Sequence, residues 1–222
     1  MVGMGLLEAG WTKRYLKDAS AVDKFRAVGL EAALLDEAMN PAWHHPNAPK
    51  DNSVSEHVAI VGNFYGYRQA MVSALASKEV PLALFGALPP RWSVPEVVEG
   101  YRNEFVVRER KSSVFRSALA VLNSTSLAEG DTLNCRAFEA CGAGALHLLE
   151  PKKAVSRCFE PGVEVLTYTS IDDLVEITSR ASADPAWAAK IRDAGSARAH
   201  AHHKYEDRLR IIFQDLERAL PA

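Results

Sequence analysis

An asparagine, an arginine and a carboxylate fall close together in Asn134-Cys135-Arg136-Ala137-Phe138-Glu139, ahead of Ala140-Cys141-Gly142-Ala143-Gly144-Ala145-Leu146. The pattern predicts the first turns of a short helix, a glycine stop at Gly142 and a buried apolar run. A helix start offers free N–H groups and the positive end of the macrodipole, which suits a phosphate. A carboxylate one or two turns further in can accept hydrogen bonds from a sugar diol. Together these groups fit a nucleotide-activated sugar.

Two further constellations belong with it. In Val61-Gly62-Asn63-Phe64-Tyr65-Gly66-Tyr67-Arg68 an apolar run ends in a glycine-containing loop and an arginine opens the next helix. Backbone N–H groups there can approach a diphosphate, and Arg68 can clamp it with charge-assisted bonds. An ordinary turn with Arg68 in solvent is the alternative, since isolated glycine-rich turns are weak motifs. Asp131 and Glu139, separated by seven residues, are the candidate catalytic pair, one for a hexose hydroxyl and one for a ribose diol. Asp131 is equally a turn or capping residue. Glu139 stands between Phe138 and Ala140-Cys141, where a carboxylate needs a partner.

Other signals are weaker. Gly142-Ala143-Gly144 follows a helix and lacks the third glycine of a dinucleotide fingerprint. His200, His202 and His203 come without a second ligand set and read as solvated or capping, and His44-His45 beside Pro46 reads as loop. There is no Gly-x-Ser-x-Gly elbow, no Walker loop and no Asp-x-Asp sequence to demand a metal, so no cofactor is expected. The 222 residues carry a net charge of −2, which leaves no basic footprint for nucleic acid. Cys135, Cys141 and Cys158 are odd in number and not metal-spaced, which points to reduced thiols and a cytoplasmic setting. Met1-Val2-Gly3-Met4-Gly5-Leu6-Leu7-Glu8 lacks the regions of a signal peptide, and no apolar run reaches transmembrane length.

The elements that must position these residues follow from periodicity. Short apolar runs at 57–61, 81–86, 118–122, 145–149 and 163–167 read as strands, and residues 67–77 have helical spacing. A helix is expected at 19–28, another closing near 114–118, and a short apolar run at 32–35. Ser170-Ile171-Asp172-Asp173 reads as a capping box, and Asp184-Pro185 as a helix start. The last helix sets Tyr205, Leu209, Ile212, Phe213, Leu216 and Leu220 on one stripe, taken as core packing. Strands that are apolar on both faces and separated by helices predict a Rossmann-like parallel sheet covered on both sides. In such folds ligands bind at the carboxyl ends of the strands, here after Val61, Phe85 and Leu122 and around Asn134.

The ordered set Val61-Gly62-Asn63-Phe64-Tyr65-Gly66-Tyr67-Arg68, Leu122-Asn123, Arg136-Ala137-Phe138-Glu139-Ala140-Cys141-Gly142-Ala143-Gly144-Ala145 and His203-Lys204-Tyr205-Glu206-Asp207-Arg208 resembles the C-terminal, donor-binding half of a GT-B glycosyltransferase. The closest pattern is that of the CgeB-like, glycosyl transferases group 1 branch, over roughly residues 30–215. The resemblance implies a nucleotide sugar as ligand, bound around Gly62, Asn63 and Tyr65. Arg68 and Arg136 would lie at the diphosphate, the backbone at Leu133 and Asn134 at the phosphates or sugar, and Glu139 at the ribose. Related retaining enzymes carry two glutamates at this spacing, whereas the first position here is Asp131.

A GT-B enzyme has two Rossmann-like halves, and this chain holds essentially one. Residues 1–48 are therefore expected to be the remnant of a preceding domain and a linker, with the polar, proline-bearing stretch 45–53 at the boundary and 49–222 as the nucleotide-sugar-binding domain. The expected function is glycosyl transfer to an unknown acceptor, with a missing N-terminal domain or a homo-oligomer completing the enzyme. The alternative is a non-catalytic nucleotide- or protein-binding module of the same fold. A receiver-type domain would need acidic residues at the first strand end, where Gly62-Asn63 stands.

Overall fold

The computed structural model describes residues 13–124 and 130–219. The start of the chain, read above for a signal region, and Leu220 of the last stripe lie outside the described residues. The central layer is a five-stranded sheet of β3 (Val58–Val61), β4 (Leu82–Phe85), β5 (Ala120–Asn123), β6 (His147–Leu149) and β7 (Leu166–Thr167), every pair parallel, in the order β4-β3-β5-β6-β7. The Rossmann-like α/β expectation is met, with the strands shorter than the apolar runs that announced them.

The strands sort their side chains by alternation. Val58, Ile60, Leu84, Leu122 and Leu148 enter one core with Met71, Val72 and Leu75 of α2 (Gly66–Ala76) and Leu174 of α7 (Ile171–Ala183). Ala59, Val61, Ala83, Phe85 and Val121 enter a second core with Val114 and Phe115 of α4 (Arg108–Ser117) and Ala140 of α5 (Cys135–Gly142). Both faces are covered, and each fully buried Val, Leu, Ile or Phe stabilises by about 1.5–3 kcal/mol. Strand β3 neighbours β4 on one side and β5 on the other, so the connections run outward in opposite directions from the β3–β5 gap. That gap is the switch point, and in open α/β sheets ligands bind there, at the carboxyl ends of the strands.

Three further helices were not read from the sequence or were read only in part. The short α3 (Pro95–Gly100) and α6 (Lys153–Cys158) have six residues each, too few to show a period, and α8 (Pro185–His202) is longer than its start signal alone specifies. Strand β1 (Arg14–Leu16), α1 (Ala19–Ala27) and β2 (Ala32–Leu34) make a small parallel pair of their own. It is tied to α9 (Tyr205–Ala219), where Asp215 accepts from Lys13 at 2.6 Å and from the Tyr15 hydroxyl at 2.8 Å.

Two expectations are corrected. The stripe on α9 is not core: no residue of 205–218 is buried, and Tyr205, Leu209 and Phe213 are each about half exposed. The helix lies outside the sheet, beside residues 13–15, and among the described residues no second apolar layer receives it. The stop after α5 is Gly144, not Gly142. Gly144 has φ +80° and its N–H donates to the Cys141 carbonyl, as a left-handed helix end requires. Gly142 is still helical, and a Cβ there would meet the His44 carbonyl at 3.1 Å.

Candidate functional site

Helix starts differ in who satisfies them. Asp18 caps α1, accepting from Ser20 and Ala21 N–H. Helix α7 has the predicted capping box of Ser170 and Asp173, and α8 has Asp184, accepting from Trp187 N–H at 2.9 Å. Helices α3, α4 and α9 have glutamate or aspartate in their first turns, and Asp131 Oδ1 accepts from Ala154 N–H in α6 at 2.9 Å. Helices α2 and α5 have neither a side-chain cap nor an acidic residue in the first turn. Each carries an arginine there instead, Arg68 and Arg136. A cation at a helix start opposes the dipole, so both starts are electrostatically unfinished. They flank the β3–β5 switch point.

Gly62 lies between the two guanidiniums. Its φ is +133°, and a Cβ there would come to 2.8 Å from Arg68 Nη1 and 2.9 Å from Arg136 Nη2. Gly86, at the end of β4, has φ +147° and passes so close to the Gly62 carbonyl that a Cβ has no room. Both residues are held by the sheet edge: Gly62 N–H donates to the Phe85 carbonyl at 2.8 Å and Gly86 N–H to Glu104 at 2.9 Å.

Arg68 is 2% exposed, which excludes the solvated reading. Nη1 donates to the Asn63 carbonyl at 2.6 Å, Nε to Ser124 Oγ at 3.0 Å, and Nη2 to the Ser124 carbonyl at 2.7 Å. Tyr65 donates to the same Ser124 carbonyl at 2.9 Å and stacks its ring 4.6 Å from the guanidinium. Burial, and then the nearby charge of Arg136, push Arg68 down to about 10, so it stays cationic at neutral pH. It braces the loops after β3 and β5 as a fixed positive charge. Arg136 is partly exposed and donates to Asn123 Oδ1 at 3.0 Å. Asn123 is fully buried and its amide donates to Asn134 Oδ1 at 3.1 Å, which spends the Asn134 side chain on orientation rather than on capping. Among the described residues neither arginine has an ion pair. Leu133, at 2% exposure, anchors the approach to α5 in the core.

Glu139 is 13% exposed at its side chain and ion-paired, so it is not a solvated helix position. Lys111 Nζ lies 2.9 Å from Oε2 and His44 Nε2 3.4 Å from Oε1. Burial alone would raise its pKa, but the bond from His44 and the charge of Lys111 outweigh it and bring the carboxyl to about 2. Asp131 does not meet Glu139; it caps α6, the capping alternative raised above. His44, read as loop, is buried at 3% exposure. Lys111 and Ser124 complete this cluster and were left unmarked by the sequence, whereas Asn123 entered only through the ordered set of segments. His200 and His203 do cap, facing the Gly142 and Cys158 carbonyls at 3.0 and 2.8 Å.

This geometry can hold a dianion: two open helix starts, two cations and a glycine between them. Comparison with known proteins bears on the fold and the family. Among solved structures the chain is similar to sucrose-phosphate synthase from Thermosynechococcus elongatus, at 16% identity and TM-score 0.71, over 94% of this chain and 59% of that one. It is similar to Anabaena HepE in complex with UDP, at 12% identity and TM-score 0.69, over 91% and 63%. It also matches the C-terminal domain of a glycosyl transferase group 1 family protein from Francisella tularensis, at 12% identity and TM-score 0.56, over 75% of this chain and 98% of that domain. The chain thus spans about three fifths of the two longer structures. No curated protein matches the sequence. The model of the glycosyl transferase-like family matches residues 68–214, and the chain belongs to that family.

Proposed function

We propose that the chain is the donor-binding half of a glycosyltransferase and binds a nucleoside-diphosphate sugar across the β3–β5 switch point. The observation that carries this reading is the pair of open, arginine-bearing helix starts at α2 and α5, beside Gly62. Arg136 contacts the diphosphate directly, with first-turn N–H groups of both helices, while Arg68 acts from behind as a fixed charge. Gly62, Asn63 and Tyr65 form the loop over which the phosphates lie, and Leu133 and Asn134 set the height of α5. Glu139 accepts the ribose diol. Asp131 keeps its second oxygen for a hexose hydroxyl. Departure of the diphosphate develops negative charge, and preorganised N–H groups and cations stabilise it without reorganisation. HepE, solved with UDP and with UDP-glucose, supports the ligand class. Residues 1–48 are assigned to the end of a preceding half that would bring the acceptor.

Asp131, which spends one oxygen on the start of α6, favours one second reading, a nucleotide-binding module that does not itself transfer sugar. Calorimetry with UDP, GDP and TDP sugars tests the shared step. At least one should bind, and Arg136→Ala should weaken it by about 10–100-fold, the value of a charged hydrogen bond. Silence across the panel refutes both readings. Turnover with an acceptor separates them.

A further inference from the structure

Glu139 is fixed from two elements that are remote in sequence. Lys111 reaches it from α4 at 2.9 Å, and His44 reaches it at 3.4 Å from the turn that precedes the 45–53 stretch. That turn is itself rigid. Ala42 N–H donates to Asn40 Oδ1 at 2.9 Å, and the N–H groups of Trp43 and His44 both donate to the Asn40 carbonyl, at 3.1 and 2.9 Å. Ser112 Oγ holds the ring from behind, 3.1 Å from His44 Nδ1 and 2.7 Å from the Trp43 carbonyl. This fixes the ring with Nε2 toward Glu139. The close approach of Gly142 to the His44 carbonyl and to the Met39 side chain seats the turn on α5. The titratable groups that feel the carboxylate are Lys111 from α4, His44 from the turn, Cys135 from its own helix and Tyr205 from α9.

A carboxylate has about four lone-pair directions, two on each oxygen. One on each oxygen is occupied, by Lys111 and by His44. One on each is left, which matches two donors on adjacent carbons. We propose that His44 and Lys111 are positioning residues for the donor ribose, holding the Glu139 carboxylate so that its two remaining lone-pair directions receive the vicinal 2′,3′-diol. The proposal rests on the donor-site reading above. It also makes the turn at residues 40–44 part of the site, so the placement of whatever precedes residue 40 is felt at the ribose. The depressed ionisation of Glu139 supports this, because the group stays an acceptor through the neutral range.

A merely structural clasp predicts the same contacts, so the test must read the diol. The full chain is titrated calorimetrically with the ribonucleoside diphosphates UDP and GDP and with their 2′-deoxy counterparts. The ribo form should bind about tenfold tighter or more, as expected for a hydrogen bond to a charged acceptor. Glu139→Gln should remove that preference. His44→Leu and Lys111→Met should each cut it to below about threefold, and His44→Gln, which restores an N–H donor near the Nε2 position, should keep most of it. Thermal melts identify any variant that fails to fold, and Lys111→Met, on the partly exposed side of α4, keeps the test alive if the His44 variants do not. An unchanged ribo-to-deoxy ratio in folded His44→Leu and Lys111→Met overturns the proposal while leaving the donor site intact. A chain that binds no nucleotide at all refutes the donor site first, and this inference with it.

Discussion

The helix starts at the switch point and those that follow β7 are treated differently. Where α7 and α8 begin, the chain satisfies its own N–H groups: Ser170 and Asp173 close a reciprocal box, and Asp184 accepts from Trp187 with Pro185 at the first turn. Where α2 and α5 begin, at the switch point, no carboxylate is supplied and an arginine stands in its place. A capped start is finished and has no further use for an anion. An open start reinforced by a cation has stability to gain from one. Function here is read less from any one residue than from which helix starts are left open.

The comparison is broken most severely at Arg68. Arg68→Leu leaves the Asn63 carbonyl without its side-chain donor and the Ser124 carbonyl with Tyr65 alone, and should cost about 3 kcal/mol of stability, seen in a denaturant melt, together with all measurable nucleotide binding. The next effect is on pH. Glu139 ionises at about 2 in the fold against an ordinary value near 4.5, so its contribution is complete above pH 4.5 and is lost as pH falls toward 2. Up to about 3 kcal/mol is involved. The difference between acid titrations of the wild type and Glu139→Gln isolates it from His147 and His203, whose burial also depresses their ionisation, to about 3 and about 4.

Smaller changes sharpen the contrast. Gly66→Glu places a carboxylate in the open first turn of α2, where a Cβ meets nothing within 4 Å. It should hold or slightly raise the melting temperature and weaken diphosphate binding by about tenfold, because the start is then occupied. Ser170→Ala at the finished start of α7 should do the opposite. About 1 kcal/mol of stability is lost and the nucleotide affinity is unmoved.

The sheet, most helix starts and the neighbourhood of the site were legible in the sequence because they rest on local signals. Alternating apolar runs gave β3 to β6, Ser170 and Asp184 gave two helix starts, and the glycine at position 62 marked a strand end. What escaped depends on contacts distant along the chain. His44 looks like loop because its partners, Ser112 and Glu139, lie 68 and 95 residues away, and nothing local marks the encounter. Arg68 looks solvated because Ser124, brought alongside at the β5 end by the sheet, supplies the acceptors for Nε and Nη2. The α9 stripe has a clear period, yet a stripe reports only an apolar face and not whether a partner covers it. Asp131 reads as the first member of a carboxylate pair, and nothing local shows that one of its oxygens caps α6, a helix too short to be anticipated.

The central claim is that the open starts of α2 and α5 hold the diphosphate. It is tested most directly by following backbone amide resonances while UDP, GDP or TDP is added. The amides at 66–68 and 135–137 should shift, with those at 171–173 and 185–187 unmoved. Shifts at the capped starts, or none at 66–68 and 135–137 under saturating nucleotide, would contradict it.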